Sequence, residues 1–181
     1  MKTLIVLATL TSLACTTGGT SDSIVVAQQA GSYVLTVPVS KLILTIPKEG
    51  FRQMTGPRAD ATANRRYFLF EDPTQHLFVS GWFEAQSEFP GTSAYWEMSK
   101  SEWSRTHVPA PTNVVFKKVA GWDVVAYEMP RSTGSNSNLQ VHWAEAGTWI
   151  NLHLSLDSEA SDAENHRALE SLLTRIRVSA K

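Results

Sequence analysis

The apolar and polar positions of this chain follow three successive rhythms. Behind Lys2 comes an uncharged run, Leu4-Ile5-Val6-Leu7-Ala8-Thr9-Leu10, which continues to Leu13 and Ala14. It is about half the ~20 residues that a membrane-spanning helix needs. A positive start, a short apolar run and small residues closing on Cys15 make the pattern of a secretion leader over residues 1–15. Residues 16–32 are then mostly small and polar, with glycines at 18 and 19. Such a composition predicts a flexible tether with an end-to-end distance of about 20–25 Å. Ile24, Val25 and Val26 interrupt it and are placed to add a short edge strand. Residues 33–181 read as a single domain.

Within that domain the early rhythm has period two. Residues 33–37 and 39–46 are β-branched and apolar, split by Pro38 and stopped by Pro47. Residues 65–71 and 77–85 predict two further strands, and residues 48–64, rich in Gly, Pro, Arg and Asn, read as a loop. Over residues 92–106 the period becomes helical. Tyr95, Trp96, Ser99 and Trp103 recur on one side, with Thr92 or Ser93 available as a cap and prolines at 109 and 111 to end the element.

Two hairpins follow. A turn at Ala120-Gly121 pairs Val119 with Trp122, Lys118 with Asp123 and Phe116 with Val125, so like meets like and the charged pair has opposite signs. A turn around Ala146-Gly147, with a two- or four-residue loop, pairs Trp143 with Ile150, Val141 with Leu152 and Leu139 with Leu154. One face is then wholly apolar, whereas a three-residue loop would mix the faces. Last, Ser161-Asp162-Ala163-Glu164 is a capping box ahead of the stripe His166, Leu169, Leu172, Leu173 and Ile176. Strands joined by tight hairpins are antiparallel. The expected fold class is α+β: an antiparallel β-sheet of about six or seven strands flanked by two helices.

Composition narrows the functional classes. The 16 basic and 17 acidic side chains give a net charge of −1, which argues against nucleic acid, whose binding rests on neutralised phosphates. The one cysteine, Cys15, closes the leader. Ser12-Leu13-Ala14-Cys15 resembles the lipobox of bacterial lipoproteins, in which a lipid joins the cysteine thiol and cleavage precedes it. Ser12 stands where that pattern usually has leucine, and Leu13 comes one place late. The alternative is ordinary cleavage after Ala14, leaving Cys15 as a soluble N-terminus. A lone thiol in an oxidising compartment favours the lipid. Two or three acyl chains would anchor firmly, since each buried methylene adds ~0.8 kcal/mol. The expected location is the bacterial cell envelope, tethered to a membrane through Cys15, or the soluble periplasm if Cys15 carries no lipid.

The run Leu44-Thr45-Ile46-Pro47-Lys48-Glu49-Gly50-Phe51 resembles the strand–proline–glycine–aromatic opening of PsbP/Mog-like domains. That group includes the extrinsic PsbP subunit of photosystem II, the nuclear Ran-binding Mog protein and bacterial envelope lipoproteins of the DcrB type. The order of strands and helices over residues 35–178 matches as well. The resemblance implies an antiparallel sheet sandwiched by helices and a binding or assembly role. It supplies no catalytic residue to carry over.

Candidate chemistry is sparse. The chain has no Gly-x-Ser-x-Gly elbow, no His-Glu-x-x-His, no phosphate-cradling glycine loop and no cysteine pair for a metal, and no cofactor is expected. Of five histidines, two are placed together: His142 faces Asn151, lies diagonal to His153, and has Gln140 as a near neighbour opposite His153. The four share the face away from the apolar one, where diagonal neighbours lie ~7–8 Å apart. That face is expected to be solvated or covered by the aromatic helix, with a polar site as the alternative. Of the tryptophans, Trp82 and Trp143 are expected in the core and Trp96 and Trp103 between the first helix and the sheet. Trp149, out of phase with the apolar positions, is expected at the surface. Arg52, Arg58, Arg65 and Arg66 surround the long loop. Residues 48–64, 86–92 and 131–138 are the expected contact loops. The reading that follows is a non-enzymatic binder of an envelope protein or cell-wall component. Its rivals are a small hydrolase or metal-dependent enzyme using the His142/His153 face, and a glycan-binding module, which requires at least two exposed tryptophans.

Overall fold

The computed structural model describes residues 23–54, 66–132 and 134–181. Along the chain come β1 (Val25–Gln29), β2 (Ser32–Thr36), β3 (Leu42–Pro47), β4 (Arg52–Gln53), β5 (Tyr67–Asp72) and β6 (Leu77–Ala85). A short 3-10 helix, Gln86–Glu88, leads to α1 (Thr92–Arg105). Then follow β7 (Thr112–Val119), β8 (Trp122–Pro130), β9 (Ser135–Glu145), β10 (Thr148–Leu156), α2 (Asp162–Arg175) and β11 (Arg177–Ala180). The strands form two antiparallel sheets, a seven-stranded one in the order β4-β5-β6-β10-β9-β8-β7 and a four-stranded one in the order β1-β2-β3-β11. The α+β class and the two helices agree with the sequence reading. The large sheet holds the expected strands from β5 to β10, whereas the strands expected at 33–37 and 39–46 pair with each other and with β1 and β11 in a separate small sheet.

Alternation decides which face of each strand is buried. Phe68 and Phe70 on β5, Val79 and Phe83 on β6, Leu139 and Val141 on β9, and Ile150, Leu152 and Leu154 on β10 all point to one side of the large sheet. They meet Leu35, Leu44 and Ile46 of the small sheet and Leu169, Leu172 and Leu173 of α2. Each fully buried leucine contributes roughly 1.5–3 kcal/mol relative to exposure. α2 is held at its start by the expected capping box, Ser161 receiving the Glu164 amide and Glu164 receiving the Ser161 amide.

Both central hairpins take the expected register. Val119 pairs with Trp122 and Trp143 with Ile150, each around a two-residue turn. Ala120 and Gly121 have φ of 50° and 88°, and Ala146 and Gly147 have 49° and 78°, the double positive φ of a type I′ turn. Gly50 has a φ of 75°, and a Cβ there would lie 2.2 Å from the Asp72 carboxylate. That buried carboxylate accepts the Thr74 and Gln75 amides. Gly50 therefore answers both to its own φ and to the turn between β5 and β6.

Four expectations are corrected. The edge strand expected at Ile24, Val25 and Val26 forms as β1 over residues 25–29, Val25 and Val26 pairing with Thr36 and Leu35, and it takes up part of the span read as tether. α1 has Gly91 rather than Thr92 or Ser93 at its N-cap, since Thr92 is already helical and the Tyr95 amide reaches the Gly91 carbonyl. The span 131–138 is not a loop throughout: β9 begins at Ser135, and Asn136 and Asn138 are strand residues. Residues 52–53 pair with β5 inside the expected 48–64 loop.

Candidate functional site

The second face of the large sheet carries the chemistry. Here β9 presents Asn136, Asn138, Gln140 and His142, and β10 presents Asn151, His153 and Ser155, because these alternate with the core residues. α1 crosses this face. Trp96 is buried against Val125 and Tyr127 of β8, with Trp103 and Met129 packed beside them. Trp96 and Trp103 thus seal the first helix to the sheet as expected. Between α1 and β5, β6, β9 and β10 lies a cleft of about 670 Å³, within the size range of small-molecule sites.

The floor of the cleft is a neutral hydrogen-bond network. Ser155 donates to Asn136 Oδ1 at 2.9 Å, and Asn138 Nδ2 donates to the Asn136 carbonyl at 2.5 Å. Asn138 Oδ1, which can only accept, lies 3.0 Å from His153 Nε2 and so places the imidazole proton there. Tyr127 Oη, 3.2 Å from the same nitrogen, is then an acceptor, and its own proton is free for another partner. Gln140 Nε2 donates to Asn151 Oδ1 and to the Leu152 carbonyl. Burial lowers His153 to about 4, so the ring is neutral at physiological pH. Burial holds the Tyr127 phenol well above its ordinary value, so it too stays uncharged.

The walls are aromatic. Tyr67 of β5, Trp82 of β6, and Tyr95 and Trp103 of α1 line the cleft. Two charged residues stand at its rim, and each is engaged. Glu102 pairs with Arg105 at 2.5 Å, and Arg131 pairs with Asp157.

The four residues expected together do share one face, in the expected register: Asn151 opposite His142, His153 opposite Gln140. They divide between two environments. Gln140 and His153 line the cleft. His142, 1% exposed, lies beneath the rings of Phe89 and Tyr95, and its Nδ1 accepts the Trp149 indole N–H at 3.3 Å. Burial lowers its pKa to about 4 as well. His142 Nε2 and Asn151 Nδ2 are buried without a hydrogen-bond partner. Among the described residues no three His, Cys, Asp or Glu side chains gather as a metal site would require.

Two tryptophans are corrected. Trp149 is 3% exposed rather than a surface residue, because Phe89 and Tyr95, contributed by the segment before α1 and by α1 itself, close over it. Trp82 lies only partly buried on the cleft face, since its neighbours Gly81 and Phe83 take the core positions. Arg66 lies outside the cleft lining and near Glu84, whose carboxyl is held above its ordinary range chiefly by burial and by Glu88, with Arg66 opposing. Cys15, Arg58 and Arg65 lie outside the described residues.

Asn136, Asn138, Ser155, Tyr67 and Tyr127 belong to no motif of the sequence. One signal was available. The outward positions from Asn136 to His142 and from Asn151 to Ser155 contain amides, imidazoles and a hydroxyl but no Lys, Arg, Asp or Glu. Strand faces washed by solvent carry charges, and a face that is polar yet uncharged points to cover.

No family model matches the chain, and no curated protein matches it. Among solved structures it is similar to the solution structure of cyanobacterial PsbP (CyanoP) from Synechocystis sp. PCC 6803. The TM-score is 0.52 at 12% identity, over 93% of this chain and 99% of that one. A protein from Bacteroides thetaiotaomicron VPI-5482 matches with a TM-score of 0.42 at 10% identity, over 78% of this chain. The chain spans less than half of that protein's length, 45%. The Pseudomonas aeruginosa protein PA94, of unknown function, matches with a TM-score of 0.38 at 9% identity, over 84% of this chain and 94% of that one. The fold is PsbP-like, and at these identities the likeness is one of fold alone.

Proposed function

We propose that this chain is an exported protein of the bacterial envelope, anchored to a membrane through a lipid on Cys15 and akin in role to DcrB-type lipoproteins. Its folded domain binds an envelope protein or a cell-wall component without catalysing a reaction. The observation that carries the binding role is the chemistry of the cleft. Its titratable floor groups are held neutral, its rim charges are already paired, and its polar side chains are fixed by one another. Such a surface recognises a ligand by shape and hydrogen bonds. The apolar run behind Lys2 that closes on Ser12-Leu13-Ala14-Cys15 supports export and anchoring.

Two measurements test the reading. Cells fed an alkyne-tagged palmitate should label the chain and retain it with membranes, and Cys15→Ser should abolish both. Recovery of the chain from cytosol with Met1 attached would overturn the proposal. A photo-crosslinker at Met98, an exposed residue on the cleft rim, should give adducts in the envelope that one at exposed Val39 does not.

A further inference from the structure

Three properties of the cleft decide what class of ligand it accepts. First, it offers no uncommitted charge: Glu102 is engaged by Arg105 and Arg131 by Asp157. An ionic ligand would enter without a counter-charge. Second, it keeps hydrogen-bonding capacity unspent in side chains that are themselves nine-tenths buried or more. Asn136, 4% exposed, uses its side-chain oxygen for Ser155, while its Nδ2 has no partner among the described residues. Gln140, 9% exposed, uses its Nε2 twice, while its Oε1 has none. Tyr127 adds the proton left free by His153. An apolar ligand would seal these groups at about 1–3 kcal/mol each. Third, the walls are indole and phenol rings, which favour a ligand with flat C–H surfaces.

A neutral molecule with hydroxyls at its edges and C–H groups on its faces meets all three conditions, and that is a pyranose ring. An extended peptide is disfavoured by topology. Strand addition needs an unpaired sheet edge, whereas the floor strands β6, β10 and β9 are interior, each paired on both sides.

We infer that the cleft between α1 and the outer face of β6, β9 and β10 is a saccharide-binding site for a short neutral glycan. Asn136, Gln140 and Tyr127 take its hydroxyls, and Trp82 and Trp103 take its C–H faces. This rests on the reading of the chain as a non-catalytic binder and specifies what it binds. Trp82 and Trp103 are partly buried and line the cleft, so each offers part of an indole to a ligand, short of the exposed pair set out above.

The test titrates the full chain with maltotriose, cellotriose and triacetylchitotriose, and with inorganic phosphate and trialanine for comparison, by tryptophan fluorescence and calorimetry. The expected result is saturable binding of at least one of the three sugars and none of phosphate or trialanine. Affinity should fall about tenfold or more in Trp82→Ala and in Asn136→Leu. Trp82→Phe, which restores a ring, should recover most of the loss, and its unfolding midpoint separates lost binding from lost fold. Absence of saturable binding to all three sugars, or binding indifferent to both substitutions, would overturn the assignment. Binding of trialanine or phosphate that Trp82→Ala abolishes would overturn the sugar class and leave the binder standing. Cleavage of a bound sugar would leave the sugar class standing and overturn the non-catalytic reading.

Discussion

Gly81 has a φ that any residue tolerates, yet it has no room for a side chain. It sits on β6 where the core face turns toward Phe68 and Leu152, and a Cβ there would lie 2.3 Å from the Asn151 carbonyl and 2.8 Å from the Phe68 ring. The carbonyl belongs to the paired backbone of β10 and cannot step aside without breaking the ladder. Gly81→Ala should therefore destabilise the fold by about 1–3 kcal/mol, the cost of overpacking, read as a lowered urea midpoint. It should also weaken ligand binding, because Asn151 holds Gln140 in the cleft floor. A midpoint equal to wild type would contradict this placement. Single residues also show where sequence reasoning stops. Trp149 reads as exposed because its phase on β10 opposes the core, and that phase is right. What periodicity does not carry is that Phe89 and Tyr95 return to cover it.

α1 ends in a Schellman motif built on an unfavourable residue. The Val108 amide reaches the Trp103 carbonyl at 2.9 Å and the His107 amide reaches Ser104 at 3.3 Å, with His107 at a φ of 60°. That left-handed position prefers glycine, and a residue with a Cβ gives up roughly 1–2 kcal/mol there. His107→Gly should raise the thermal midpoint, offset in part by the greater freedom of glycine in the unfolded chain. A fall would show that the imidazole makes a contact outweighing the strain. Elements differ in how plainly the sequence announces them. Both central hairpins and α2 are legible, because their registers are set by local matching and by a capping box that spans four residues. The short strands are not. β4 has two residues and β11 has four, Arg-Val-Ser-Ala, too few to show a period. β11 exists because α2 delivers it beside β3, where Val178 pairs with Leu44. The cleft falls between these cases. Its floor residues are visible as a register, but its walls come from β5, β6 and α1, whose approach depends on the packing of Trp96 against Tyr127.

At the scale of the whole molecule, two buried imidazoles tie folding to pH. His142 and His153 both have their pKa lowered to about 4 by burial, in His142 against the pull of Asp123. Between that value and the ordinary 6.5 the unfolded chain binds protons that the folded chain does not, so stability falls as pH drops through this window and levels off below about 4. For His142 alone, at 1.36 kcal/mol per unit, the loss is about 3 kcal/mol. Glu128 works in the opposite sense. Buried beside Ser137 and His166, its carboxyl is raised chiefly by burial, so its contribution is present in acid and declines as pH rises through the raised value. Glu84, raised by burial and by Glu88, works in the same sense as Glu128, and the two imidazoles, each lowered from 6.5 to about 4, set the net loss in acid. Urea unfolding followed from about pH 7 to about pH 4.5 should show a falling midpoint. Glu128→Gln should steepen that fall, and His142→Phe should flatten it, whatever either does to stability at neutral pH. The slope is the informative quantity, because removing His142 also strands the Trp149 indole N–H. A midpoint constant across the window would mean that the face beneath α1 admits protons freely, and the closed, neutral floor on which recognition depends would not exist.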